Sequence, residues 1–148
     1  EKAPDAEALA AMARLPDGPQ APSGTADEPA VKLALAALPP LPNPESTNMV
    51  LRYTLVAKSW WLETRCHVGE PAKAEGFKAG VAIYTQAFRL SLQKAFSIPE
   101  SKAEEYVEKI QMYRLQELSA AKFYGCGPDA KAAFAPGLAE VQRVTLKP

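Results

Sequence analysis

Three long stretches of the chain place apolar residues three or four positions apart, which is the spacing of one face of an α-helix. They run from about residue 46 to 65, from about 71 to 97 and from about 97 to Gly125. The second is the clearest, because its stripe is uninterrupted (Ala74, Phe77, Val81, Tyr84, Phe88, Leu92, Ala95). Since short connections make consecutive helices antiparallel neighbours, the sequence predicts an all-α fold built on a three-helix up-down-up bundle.

The two cysteines of the chain fall at matching ends of this bundle. Cys66 follows the first long helix and Cys126 follows the third, and these two helices run in the same direction in an up-down-up arrangement. Two cysteines at the same end of parallel helices can meet the distance that a disulfide requires. We therefore expect a Cys66–Cys126 disulfide, which stabilises the fold by about 4 kcal/mol in the chain-entropy model and indicates an oxidising compartment.

The stretch SWWLETRCHVG, residues 59–69, holds Cys66 beside the sole histidine, His67, and raises the question of a reactive site. A thiol nucleophile needs a base that points at it and a third group that orients the base, which adjacent residues do not supply. A zinc site needs four ligands at recognisable spacings, and a haem attachment signature needs a second cysteine before the histidine. We therefore expect no catalytic, cofactor-binding or metal-binding residue here.

The first 44 residues differ in composition from the rest of the chain, because they contain nine of its 14 prolines. Two short helices are predicted to begin near Asp5 and Asp27, joined by turn and polyproline segments. Isolated helices of this length are marginal in water. We therefore divide the chain into a Pro/Ala-rich arm, residues 1–44, and a helical body, residues 45–148, which ends in a short helix from Pro128 that is interrupted at Pro136. The body is expected to fold without the arm.

Two groups of apolar residues are candidates for binding a protein partner. Leu35, Leu38 and Leu41 lie in and after a helix too short to bury them by itself. Trp60 and Trp61 are consecutive, and neighbouring residues on a helix point about 100° apart. Both tryptophans cannot face one narrow seam, so one of them is expected to cover the arm or a partner.

The charge, the apolar stretches and the motif content of the chain exclude several classes of partner and activity. Seventeen basic residues balance seventeen acidic ones, so there is no net positive field to attract nucleic acid or anionic lipid. The apolar stretches are too short to insert into a membrane. Glycine-rich phosphate loops, serine nucleophile motifs and nucleotide fingerprints are absent from the sequence. We therefore expect neither an enzyme nor a protein with a small-molecule substrate or a cofactor.

The remaining functions are those of a binding protein outside the cytoplasm. The sequence begins at Glu1 without an initiator methionine, so we expect a mature exported protein, placed in the periplasm, whose signal peptide has been removed. The arm favours a non-catalytic accessory or structural subunit of a larger periplasmic or membrane-associated assembly. The alternative is a free-standing small inhibitor, immunity protein or chaperone-like binder, for which a compact bundle suffices.

Overall fold

The computed structural model describes residues 5–16, 18–40, 42–120 and 126–145, without the side chains of residues 118 and 120. Within these ranges the fold is all-α and contains no strand. The six α-helices are α1 (Ala6–Met12), α2 (Pro29–Ala36), α3 (Pro44–Cys66), α4 (Pro71–Phe96), α5 (Glu100–Ala120) and α6 (Pro128–Thr145).

The expected three-helix bundle is not confirmed, because the described part of the chain contains a fourth long helix. Helices α3, α4 and α5 are the three long helices expected from the sequence, and α6 packs along α3 in the opposite direction. Ser59 of α3 bonds to Phe134 of α6, whereas the earlier Arg52 bonds to the later Glu140. The bundle therefore contains four long helices, and the two short helices pack against it.

Helix α6 is continuous over 18 residues, although an interruption at Pro136 was expected. A proline inside a helix costs about 3 kcal/mol, and close packing against α3 offsets this cost. A Cβ atom at Gly137 would lie 2.6 Å from the Leu55 carbonyl oxygen, and the Ser59 hydroxyl donates to the Phe134 carbonyl at 2.7 Å. The missing side chain at residue 137 allows the two helix backbones to approach closely.

The structure contains the expected disulfide between Cys66 and Cys126, whose Cα atoms are 5.4 Å apart. Helices α3 and α5 run in the same direction along their contact, since Gln111 bonds to Tyr53 and Arg114 bonds to Thr54. The disulfide therefore joins the end of α3 to the segment that follows α5, at the same end of the bundle, as the order of the helices predicted.

A buried arginine of α3 holds the end of α1. Arg52 is 1% exposed and donates to the Leu15 carbonyl and, at 2.9 Å, to Glu140 of α6. Glu140 also accepts from the Tyr84 hydroxyl at 2.6 Å and from Arg143, which donates in turn to the Arg14 carbonyl. Because a buried charge is costly unless it is paired and hydrogen-bonded, these contacts make the end of α1 part of the network.

The segment after α1 is held by an amide of α3. The buried Asn48 side chain donates to the Pro19 carbonyl at 2.9 Å and accepts from the Ala21 backbone N–H at 2.8 Å. One side chain thus satisfies two backbone groups of a segment that has no regular secondary structure.

A second buried arginine, Arg114 of α5, holds the beginning of α2. Its side chain is 1% exposed, and it donates to Glu28 at 2.9 Å, to Glu117 at 2.7 Å and to the Thr54 carbonyl at 3.0 Å. Glu117 also accepts from the Ala30 backbone N–H at 3.1 Å and thereby caps α2 from outside, where Glu28 makes no capping bond. The start of α2 is tied to α5 by charge as well as by packing.

The predicted arm therefore packs along the body over its described residues. Helix α1 lies on α4 and helix α2 on α5. The following arm side chains are buried: Ala8, Ala11, Leu15, Thr25, Ala30, Val31, Ala34 and Leu38. The division at residue 44 stays a prediction, but these contacts are those of a segment that belongs to the core.

Substitution of Gly137 tests the close approach of α3 and α6. We expect Gly137→Ala to lower the free energy of unfolding by about 1–3 kcal/mol, because the added methyl group overpacks the contact with Leu55 and Ser59. Gly76→Ala is the matched control, since a Cβ atom there meets nothing within 4 Å; it should stabilise α4 by up to about 1 kcal/mol. Urea unfolding measures the change in the free energy of unfolding for both variants. Equal changes would contradict the close approach of α3 and α6.

Acid unfolding tests the contact between Arg114 and Glu28. Burial raises the pKa of Glu28, but the hydrogen bond and charge of Arg114, together with Lys58, hold it below its usual value of 4.5. The stabilisation is therefore present above about pH 4.5 and is lost as the pH falls through the lowered pKa.

We expect Glu28→Gln to be less stable than the parent at neutral pH, with a gap in melting temperature that narrows as the pH falls below about 4.5. Glu75→Gln, at an exposed position of α4, is the control and should show no comparable narrowing. Circular dichroism melts at several pH values measure both gaps. A Glu28→Gln gap that is constant with pH would contradict the ion pair.

Candidate binding surface

A groove of about 420 Å³ opens between α4 and α5 and has α3 as its floor. It is lined by Tyr53, Val56, Ala57 and Trp60 of α3, by Lys78, Val81, Ala82, Thr85, Gln86 and Arg89 of α4, and by Glu104, Val107, Glu108 and Gln111 of α5. The salt bridge between Arg89 and Glu104, with a distance of 2.9 Å, joins the two walls. The groove therefore combines an apolar floor with charged and amide groups on its walls.

The polar group in the floor is the Tyr53 hydroxyl. It lies 3.2 Å from Thr85 Oγ1 and accepts from Gln111 Nε2 at 3.0 Å, while the ring stacks on Phe88 with centroids 4.2 Å apart. Burial raises the pKa of Tyr53 above its usual value of 10.0 by more than the bonds to Thr85 and Gln111 lower it. The phenol therefore stays protonated at neutral pH and serves as a hydrogen-bonding group rather than as a base.

The two tryptophans have different environments, as their helical positions predicted. Trp60 lines the groove and is 40% exposed. Trp61 is half-buried, packs against the hydrophobic core and has the Arg65 guanidinium 5.9 Å from its ring centroid. Trp60 is thus the tryptophan available to a partner, whereas Trp61 supports the fold.

Two further apolar side chains are exposed on α5. Leu115 is 48% exposed and Met112 is 46% exposed. Leu115 lies four residues after Gln111 and therefore on the same helix stripe as the groove wall. Sequence analysis overlooked both residues. An isolated apolar residue on a charged helix can be buried or exposed, and only the positions of the neighbouring helices decide which.

Two of the three arm leucines that were predicted to bind a partner, Leu35 and Leu38, pack against this protein's own core. Leu38 is 8% exposed, and Leu35 is partly buried against the same cluster. Leu41 lies outside the described residues. Helix α2 packs against α3 and α5, and a role of these leucines in binding another protein stays a prediction.

The Cys66–His67 pair ends α3. Cys66 is in the disulfide, and His67 adopts a left-handed conformation with φ 49° as the C-cap residue. The His67 side chain is 77% exposed, with its Nδ1 atom 4.0 Å from the carboxylate of the buried Glu63. That carboxylate accepts from the Gly69 backbone N–H at 2.6 Å, so its function is to fix the turn that follows the helix.

Metal-binding clusters and membrane-spanning helices are both absent from the part of the chain that the structure describes. Groups of three or more histidine, cysteine or acidic side chains that could hold a metal ion do not occur among these residues. Of the helices in the described ranges, none combines the length and the apolar character needed to cross a membrane.

Comparison of the chain with protein-family models, with curated proteins and with solved structures found no match. The groove around Trp60 is therefore interpreted from its own geometry and chemistry.

Proposed function

We propose that this chain is a non-catalytic protein that binds a protein partner through the α4–α5 groove. The observation that carries the proposal is the indole of Trp60, which is 40% exposed at the groove. Tryptophan is enriched among the residues that contribute most to binding energy in protein interfaces. Its large apolar surface also has a polar N–H group that can bond to a partner.

The shape and polarity of the groove support a protein ligand over a small apolar one. The groove is open, and its walls carry Lys78, Arg89, Glu104 and Glu108, which provide charges of both signs. Leu115 and Met112 extend the apolar surface along α5. An apolar centre with a charged rim is the usual composition of a protein interface.

The disulfide supports a location in an oxidising compartment, and we place the protein in the periplasm or in another exported location. Contacts within the chain argue against docking through the arm, because Arg52, Asn48 and Arg114 already bind described residues of the arm. We therefore assign partner binding to the groove face.

The partner relationship has two forms. As an accessory subunit, the protein is a rigid block of a larger periplasmic or membrane-associated assembly. As a free-standing inhibitor, immunity protein or chaperone-like binder, it meets its target transiently. The packing of α1 and α2 on the same chain favours the free-standing form. Size-exclusion chromatography of the native extract separates the two, because a subunit elutes in a large complex and a free binder elutes as a single chain.

Substitution of Trp60 tests the proposed binding surface. We expect Trp60→Ala to weaken partner capture by at least about tenfold, since interface tryptophans contribute about 2 kcal/mol or more. Leu9→Ala is the matched control, because Leu9 is an exposed apolar residue of α1, 46% accessible, that does not line the groove.

Quantitative co-purification from the native compartment, with each variant as bait, measures the effect. Circular dichroism must first show that both variants keep the parent helicity. If Trp60→Ala and Leu9→Ala capture the parental partners in parental amounts, the groove is not the binding surface.

A further inference from the structure

The two walls of the α4–α5 groove carry charges of opposite sign. The charged side chains that line it from α4 are Lys78 and Arg89, whereas those that line it from α5 are Glu104 and Glu108. Three of the four are exposed, and Arg89 is partly exposed. Among the described residues that line the groove, the charges on the α4 wall are therefore all basic and those on the α5 wall are all acidic.

The centre of the groove, between these charged walls, is apolar. Trp60 lines it from α3, the helix that forms the floor, and is 40% exposed. Met112 and Leu115 are exposed and lie one helical turn after Glu108 and Gln111, which line the α5 wall. The groove thus presents an apolar centre with a basic edge on one side and an acidic edge on the other.

A surface with this charge pattern is complementary to itself. The two subunits of a homodimer are usually related by a two-fold axis and use the same surface patch. A two-fold axis that runs along the groove places α4 of one copy opposite α5 of the other. The basic wall of each copy then meets the acidic wall of the second copy, and the two Trp60 side chains meet near the axis. An axis across the groove would instead place like charges together, which is unfavourable.

We propose that the groove binds a second copy of this chain, in a dimer whose two-fold axis runs along the groove. The inference rests on the proposed function, because it assigns a partner to the same binding surface. The two indoles supply apolar contact at the centre, and the charged walls set the relative orientation of the copies. Because the exposed apolar residues are confined to one groove, the dimer is transient, as is typical of small interfaces. It dissociates on dilution, and any other protein that uses the groove competes with it.

Sedimentation velocity of the full chain, from about 5 μM to about 500 μM, measures self-association in the range of a weak dimer. We expect the mass to rise from one chain to two as the concentration increases. The association should weaken from about 0.01 M to about 0.1 M salt, because the Debye length shortens from about 30 Å to about 10 Å. A chain that stays monomeric over the whole range overturns the proposal.

Charge reversal tests whether the walls pair between copies. We expect Lys78→Glu and Glu108→Lys each to dimerise at least about tenfold more weakly than the parent, because each places like charges on facing walls. An equimolar mixture of the two variants should regain the parental affinity, since in the mixed dimer the two changed walls face each other and so do the two unchanged walls.

Lys131→Glu is the control for charge reversal, because Lys131 is exposed on α6 and does not line the groove. It should dimerise like the parent. If the mixture of Lys78→Glu and Glu108→Lys associates as weakly as each variant alone, the walls do not pair and the proposal is overturned.

Trp60→Ala separates this inference from the proposed function. We expect it to weaken self-association at least about tenfold, while Leu9→Ala, exposed on α1 and outside the groove, leaves it unchanged. A dimer that needs Trp60, in a chain whose capture of other proteins does not, supports this inference and overturns the assignment of those proteins to the groove. A parent chain that captures another protein through Trp60 but stays monomeric overturns the dimer alone.

Discussion

Two buried guanidinium groups impose the main constraint on this fold. Arg52 and Arg114 are each 1% exposed, and a charge removed from water destabilises a protein unless it is paired and fully hydrogen-bonded. Part of their pairing comes from the first third of the chain, through the Leu15 carbonyl and Glu28. The proline-rich segment therefore contributes hydrogen-bond partners to both buried arginines, and this requirement favours the packing of α1 and α2 on the body.

These bonds explain why the first 40 residues, which contain little regular secondary structure, pack against the long helices. The disulfide joins the ends of α3 and α5 at one end of the bundle, while Asn48, Arg52 and Arg114 hold the arm along its length. Helix α3 packs against α4, α5 and α6. Trp60 is its exposed large apolar side chain, which is why we assign binding to the groove around it.

The sequence was sufficient for the features that depend on local periodicity and helix order. The stripes of α3, α4 and α5 predicted the long helices, and their alternation predicted the Cys66–Cys126 pair. The missing part was the polar stripe of α3, where Asn48, Arg52 and Ser59 follow one another at intervals of about one and two helical turns. Each of these side chains donates to a backbone carbonyl of a distant segment, and no sequence pattern encodes such a contact. The predicted interruption of the last helix at Pro136 was wrong for a similar reason. The tertiary contact at Gly137 outweighs the local tendency of proline to break a helix.

Thermal melting of residues 45–148 alone tests most directly whether the first 44 residues belong to the folded unit. Removing one partner of a buried ion pair costs about 3–5 kcal/mol, and the truncation also uncovers the surface that Leu15, Val31 and Leu38 protect. We therefore predict loss of the cooperative transition seen by circular dichroism, and its recovery when a peptide of residues 1–44 is added. A truncated chain that melts cooperatively at the temperature of the full chain would contradict this account and would establish a separate arm and body.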